Sequence, residues 1–156
     1  MSTYSVTIQW QNENGEEFLK NRYSRAHIWA FDGGIEITAS SSPHVVPLPM
    51  SIEHAVDPEE AFVASIASCH MLWFLSIAAK AGFVVESYTD EAVGTMQNDA
   101  SGKLAITSVT LSPQTKFSGS RQPAASDLEA LHHEAHESCF IANSVKTEIQ
   151  CHPVLE

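Results

Sequence analysis

Between Asp57 and Gly82 runs a stretch that fixes much of what this chain can become. Asp57 can cap a helix, Pro58 suits its first position, Glu60 completes a capping box, and Gly82 marks the end. That punctuation predicts a helix of about 24 residues, about 36 Å long. Phe62, Ile66, Cys69, Trp73 and Ile77 recur at spacings of three and four and share one stripe. The opposite side is also mostly Ala, Val, Leu and Phe, so the helix is expected to be buried on more than one side. Glu59, Glu60, His70 and Lys80 interrupt the apolar run, which favours a central core helix over a membrane span.

The segments around this helix read mostly as strands. Tyr4–Trp10 alternates polar and apolar residues, and Arg25–Phe31 follows a polar loop at residues 12–17. Asp32-Gly33-Gly34 then supplies a hairpin turn into Ile35–Ala39. Ser40–Met50 is a Ser/Pro-rich loop. Beyond the helix, Val84–Met96 reads as one strand, and residues 98–102 turn it into Leu104–Leu111. Ser126, with Glu129 three residues on, can cap a second helix ending near Phe140, and Ser144–Gln150 alternates as a final strand. The order βββ–α–ββ–α–β predicts an α+β fold with antiparallel sheet wrapped around the long central helix.

A length of 156 residues and a 44% hydrophobic content fit a single domain, 1–156, with a real core. The formal charge of −11 argues against nucleic acid and anionic membrane as partners, since both select basic surfaces. The N-terminal residues show no basic stretch followed by an apolar run, so no secretory signal is expected. Three cysteines do not make a secreted disulfide framework, and a reducing cytoplasm is the expected compartment.

In such a compartment cysteines persist for chemistry or as packing. A cysteine on an apolar helical stripe is usually inert, and that bland reading applies to Cys69, to Cys139 beside Phe140 and Ile141, and most of all to Cys151. The sharper reading needs a thiolate, hence a cation or a helix N-terminus nearby. Cys69 lies about three turns into its helix, where the dipole contributes little, so a cationic side chain must come from elsewhere. His70 points about 100° away around the helix and is a weaker candidate to activate Cys69 directly.

Asp57-Pro58-Glu59-Glu60, an Ala-rich helix and then Cys69 resemble the first cysteine motif of the OsmC/Ohr family, the osmotically inducible protein C and organic hydroperoxide resistance proteins. Ala135-His136-Glu137-Ser138-Cys139, then Asn143-Ser144-Val145 leading to a strand, resembles the second. With the N-terminal strands, the resemblance covers essentially the whole chain. It implies an intertwined α+β homodimer with two active sites at the subunit interface, acting as a thiol-dependent peroxidase on organic hydroperoxides. By motif position Cys69 is the peroxidatic thiol and Cys139 the resolving one. Glu59, ten residues earlier, matches the family's helix-start glutamate, and an arginine from the early strands, Arg25 with Arg22 as alternate, completes the site. The implied reductant is an external dithiol of lipoyl type, with no cofactor and no metal. Phe62, Ile66, Met71, Trp73 and Phe74 are expected to favour apolar hydroperoxides or simply to form core. Phe140, where the family often has proline, and His70-Met71-Leu72-Trp73 after Cys69 mark a less typical subgroup.

Two other readings compete. His132, His136 and Cys139 fall at i, i+4 and i+7 on one helix face, where His133 or His27 could add a fourth metal ligand. His133-Glu134-Ala135-His136 is one residue short of the HExxH zinc motif, and histidines on an acidic helix are more often a solvated face. The other reading is a non-catalytic dimer of the same fold that binds a small apolar ligand or another protein.

Overall fold

The structure, a computed structural model, describes residues 1–155. Its architecture is α+β, and the chain packs as two compact units, Met1–Ala61 and Phe62 onward. In the first, β1 (Val6–Gln9), β2 (His27–Phe31) and β3 (Glu36–Ala39) form an antiparallel meander. Gly34, at φ +84°, makes the β2–β3 turn, a backbone conformation that glycine adopts without strain. The polar segment before β2 is more ordered than a loop, since Gly15–Lys20 winds into a short 3-10 helix. Phe18 from that turn packs against Trp10 and Tyr23.

Helix α1 spans Pro58–Lys80. Its start is the reciprocal cap that Asp57 and Glu60 predict: the Glu60 N–H donates to Asp57 Oδ1 at 2.7 Å, and the Asp57 N–H donates to Glu60 Oε2 at 3.3 Å. Gly82, at φ +82°, closes the other end, where the Phe83 N–H reaches the Ala78 carbonyl at 3.0 Å. The buried stripe differs from the expected one. Ile66, His70, Phe74, Ile77 and Ala78 are buried, while Cys69 and Trp73 are half-buried and Leu72 is exposed. The stripe is rotated by about one residue, which brings His70 inside and leaves Cys69 at the margin of the core.

The second unit holds α1 from Phe62 on, two three-stranded sheets and α2 (Ala125–Ser138). The segment expected as one strand is two: β4 (Val84–Asp90) joins β7 (Pro113–Ser118) and β9 (Val154–Leu155), while β5 (Val93–Asn98) joins β6 (Leu104–Leu111) and β8 (Glu148–Cys151). Both sheets are mixed rather than purely antiparallel, because β8 lies parallel to β6 and β9 parallel to β7. The long crossover through α2 is the kind of connection that parallel neighbours need. The cap of α2 also differs from expectation. Asp127, not Ser126, meets the orphan backbone, accepting the Ala124 N–H at 2.9 Å.

Two apolar clusters hold this unit. Phe74, Ile77, Ala78 and Phe83 pack with Leu128, Leu131 and Ala135 of α2, and Ile66 packs with Val109 and Leu111 of β6. Gly94 lets β5 approach α1 closely, since a Cβ there would stand 2.6 Å from Val63 Cγ2. Gly94→Ala is therefore expected to destabilise the chain by about 1–3 kcal/mol through overpacking. Urea unfolding of the purified variant checks this.

Candidate functional site

Cys69 and Cys139 meet. Cys69 stands half-buried on α1, and Cys139, 1% exposed, caps the C-terminus of α2. Both are free thiols, and the Cys69 side chain is a hydrogen-bonding partner of the Cys139 thiol. Burial, reinforced by that bond, pushes the Cys139 thiol up to about 11, although the Ala142 N–H donates to its sulfur at 3.4 Å. Burial first, and then the charge of Asp90, pushes the Cys151 thiol up to about 12. Iodoacetamide is accordingly expected to label Cys69 well before the other two cysteines, as peptide mapping over a time course would show.

The apolar side chains expected to line a substrate pocket or to form core divide. Ile66 and Phe74, both 0% exposed, are core. Trp73, one turn beyond Cys69, packs edge-to-face on Phe140 with ring centroids 5.4 Å apart, next to Cys139. Phe140 is 67% exposed, so the rim beside the thiol pair is apolar and open to solvent.

Arg25 and Glu59 lie in the first unit, where both line a cleft of about 520 Å³ walled by Ile8, Trp10, Phe18 and Tyr23. Arg25 is held in place rather than free. Its guanidinium donates to the Tyr23 carbonyl at 2.6 Å and to Asn21 Oδ1 at 2.7 Å, and lies 3.7 Å from the centre of the Tyr23 ring. Glu59 Oε2 is buried without a hydrogen-bond partner, and among the described residues no ion pair joins it to Arg25. Arg22 is mostly exposed beside Glu17 at 3.7 Å and does not line the cleft.

The metal set read from one face of α2 does not assemble. Cys139 is turned to Cys69, whereas His132 Nδ1 lies 2.9 Å from His70 Nε2. His27 has both ring nitrogens engaged, one by the Trp29 indole at 2.8 Å and one by the Arg25 carbonyl at 2.8 Å. The donors that do converge are His70, His132 and Cys151, whose ligand atoms lie within 4.8 Å of one another. Sequence reading passed over this group. Its signal was the parity of β8, since Cys151 and Ile149 point to one side while Glu148 and Gln150 are exposed. Burial, with a smaller contribution from His136, holds His70 down at about 4, and burial with His70 holds His132 down at about 4. Both rings are therefore neutral at pH 7.

The family model described as OsmC-like protein matches residues 52–153. The chain belongs to the OsmC-like family. An OsmC-like protein of unknown function from Vibrio cholerae is 56% identical, with 99% of this chain and 100% of that one covered and a TM-score of 0.96. More distant solved structures share the fold. An organic hydroperoxide resistance protein from Elizabethkingia anophelis has a TM-score of 0.71 at 14% identity, with 100% of this chain and 96% of that one covered. One from Bacillus subtilis has a TM-score of 0.68 at 20% identity, with 99% and 98% covered. A comparison with curated proteins finds no match. The OsmC-like chain described here carries two cysteines in mutual reach.

Proposed function

We propose that this OsmC-like protein is a cytoplasmic thiol-dependent peroxidase acting on organic hydroperoxides, and the observation that carries the reading is the contact between Cys69 and Cys139. Cys69 is the reachable sulfur and Cys139 the shielded one, the division of labour expected of a peroxidatic and a resolving thiol. The Cys69 thiolate attacks the terminal oxygen of R–OOH and breaks the O–O bond. The sulfur becomes a sulfenic acid, and the alkoxide takes a proton and leaves as R–OH. The Cys139 thiol then attacks the Cys69 sulfur, forming the disulfide and releasing water. An external dithiol, of lipoyl type by family resemblance, reduces the disulfide by two exchanges and leaves as its own disulfide.

The cleft of Arg25 and Glu59 completes the proposal. Ten residues of helix place Glu59 about 15 Å along α1 from Cys69, so it serves the thiol through Arg25 or from the other subunit of a homodimer. Helix α1 supports the homodimer: only 28% of its most apolar 18-residue window is buried within one chain, which leaves residues such as Leu72 for a second copy to cover. The apolar rim at Trp73 and Phe140 favours alkyl over hydrogen peroxide. The test is steady-state turnover with cumene hydroperoxide and dihydrolipoamide against the same assay with hydrogen peroxide. Saturable consumption, faster for the organic substrate, is expected. Slow, non-saturating consumption of both would leave the binding-module reading in its place.

A further inference from the structure

We propose that His70, His132 and Cys151 form a binding site for a divalent transition metal, zinc in the first instance, separate from the Cys69–Cys139 pair. The site rests on three features of the second unit. Two imidazoles and a thiol, two of them buried and one half-buried, converge from three different elements, α1, α2 and β8. His70 Nε2 is 2.9 Å from His132 Nδ1 and 3.8 Å from Cys151 Sγ. Tetrahedral zinc, with bonds of about 2.1 Å to nitrogen and about 2.3 Å to sulfur, needs separations of roughly 3.4 and 3.6 Å, so shifts of about half an ångström or less suffice.

The surroundings are polar beyond what the three residues themselves satisfy. His70 Nδ1 and His132 Nε2 are buried without a hydrogen-bond partner, and so are Tyr88 Oη, Asp90 Oδ2 and Thr115 Oγ1. Asp90 acts electrostatically on Cys151 and on Tyr88, and Tyr88 and Thr115 face each other across the β4–β7 pair. Leaving so many buried polar atoms unpaired in a core costs about 1–3 kcal/mol each. A cation with a carboxylate beside it gives that polarity a purpose: Asp90 supplies negative charge next to the sulfur, and outer-shell groups orient the ligating rings.

The site also has a route in. A cavity of about 630 Å³ is lined by His132 and Cys151 together with His133, His136, His152 and Glu129, so two ligands open onto a cleft where further imidazoles stand. A fourth coordination position facing this cleft is open to water or a small anion. The His70 and His132 rings lie within 3° of parallel and share one hydrogen between the facing nitrogens. On binding, that hydrogen moves to an outer ring nitrogen, the Cys151 thiol gives its proton to solvent, and three lone pairs go to the metal. One proton is released per metal ion.

The experiment is titration of the chelator-stripped protein with Co²⁺, followed by displacement with Zn²⁺. One equivalent should bind with a thiolate-to-cobalt charge-transfer band, and zinc should bleach it and raise the Tm of the parent chain. Cys151→Ser should abolish the band, and His132→Gln should weaken zinc binding roughly a hundredfold. The Cys69→Ser, Cys139→Ser double variant should retain the band in full, which keeps this outcome independent of the peroxidase reading. No band on the parent chain, a band lost with Cys69 and Cys139, or weak multi-site binding that survives Cys151→Ser, as surface histidines would give, each overturns the proposal. Parent-chain stoichiometry and thermal shift stand even if a variant misfolds.

Discussion

Replacing Cys69 with serine is expected to lower hydroperoxide turnover by roughly a thousandfold or more, because a serine hydroxyl is a far weaker nucleophile than a thiolate at neutral pH. Cys139→Ser should behave differently. The first oxidation survives, since the reachable sulfur is intact, but the sulfenic acid has no partner thiol to condense with. A dimedone adduct on Cys69 should accumulate in Cys139→Ser and be nearly absent from the parent chain. Cys151→Ser should leave both steps in place, because its sulfur faces His70 rather than the thiol pair. Activity of Cys69→Ser equal to that of the parent would favour a module that binds an apolar ligand without chemistry.

The second large effect falls on stability. Phe74 is fully buried where α1, α2 and the β4–β7 pair meet, with its ring centroid 4.2 Å from that of His132, 5.5 Å from Tyr88 and 6.4 Å from Phe117. Phe74→Ala removes that ring from a close-packed cluster and leaves a cavity that its neighbours fill only in part. The expected cost is about 3–5 kcal/mol, seen as a lower denaturant midpoint and a Tm reduced by about 10 °C or more. Leu72→Ala, on the exposed side of the same helix, should cost an isolated chain much less. The contrast between two large apolar residues two positions apart measures how one-sided the burial of α1 is within one chain.

Much of this was written plainly in the residues. Asp57, Pro58, Glu60 and Gly82 act locally, through caps and backbone conformation, so the ends of α1 follow from a few neighbouring side chains. Asp32-Gly33-Gly34 set the first hairpin for the same reason. Long-range decisions were less legible. Residues 84–96 are rich in Val, Tyr and Thr, and nothing local announces that the chain leaves one sheet for another near Glu91 and Ala92. Pro113–Ser118 opens on proline and is mostly polar, yet β4 pairs with it across 22 residues of intervening chain. The thiol pair was visible through motif order, while the His70–His132 contact was not, since 62 residues separate the two rings and tertiary packing alone selects which face of α1 turns inward.

Mass spectrometry of the intact and digested parent chain after one equivalent of cumene hydroperoxide reaches the centre of the account. The prediction is a loss of two hydrogens per chain and a single crosslinked peptide joining Cys69 to Cys139, reversed by a dithiol. Thiols that stay reduced after exposure, or a crosslink that takes in Cys151 in place of Cys139, would contradict it.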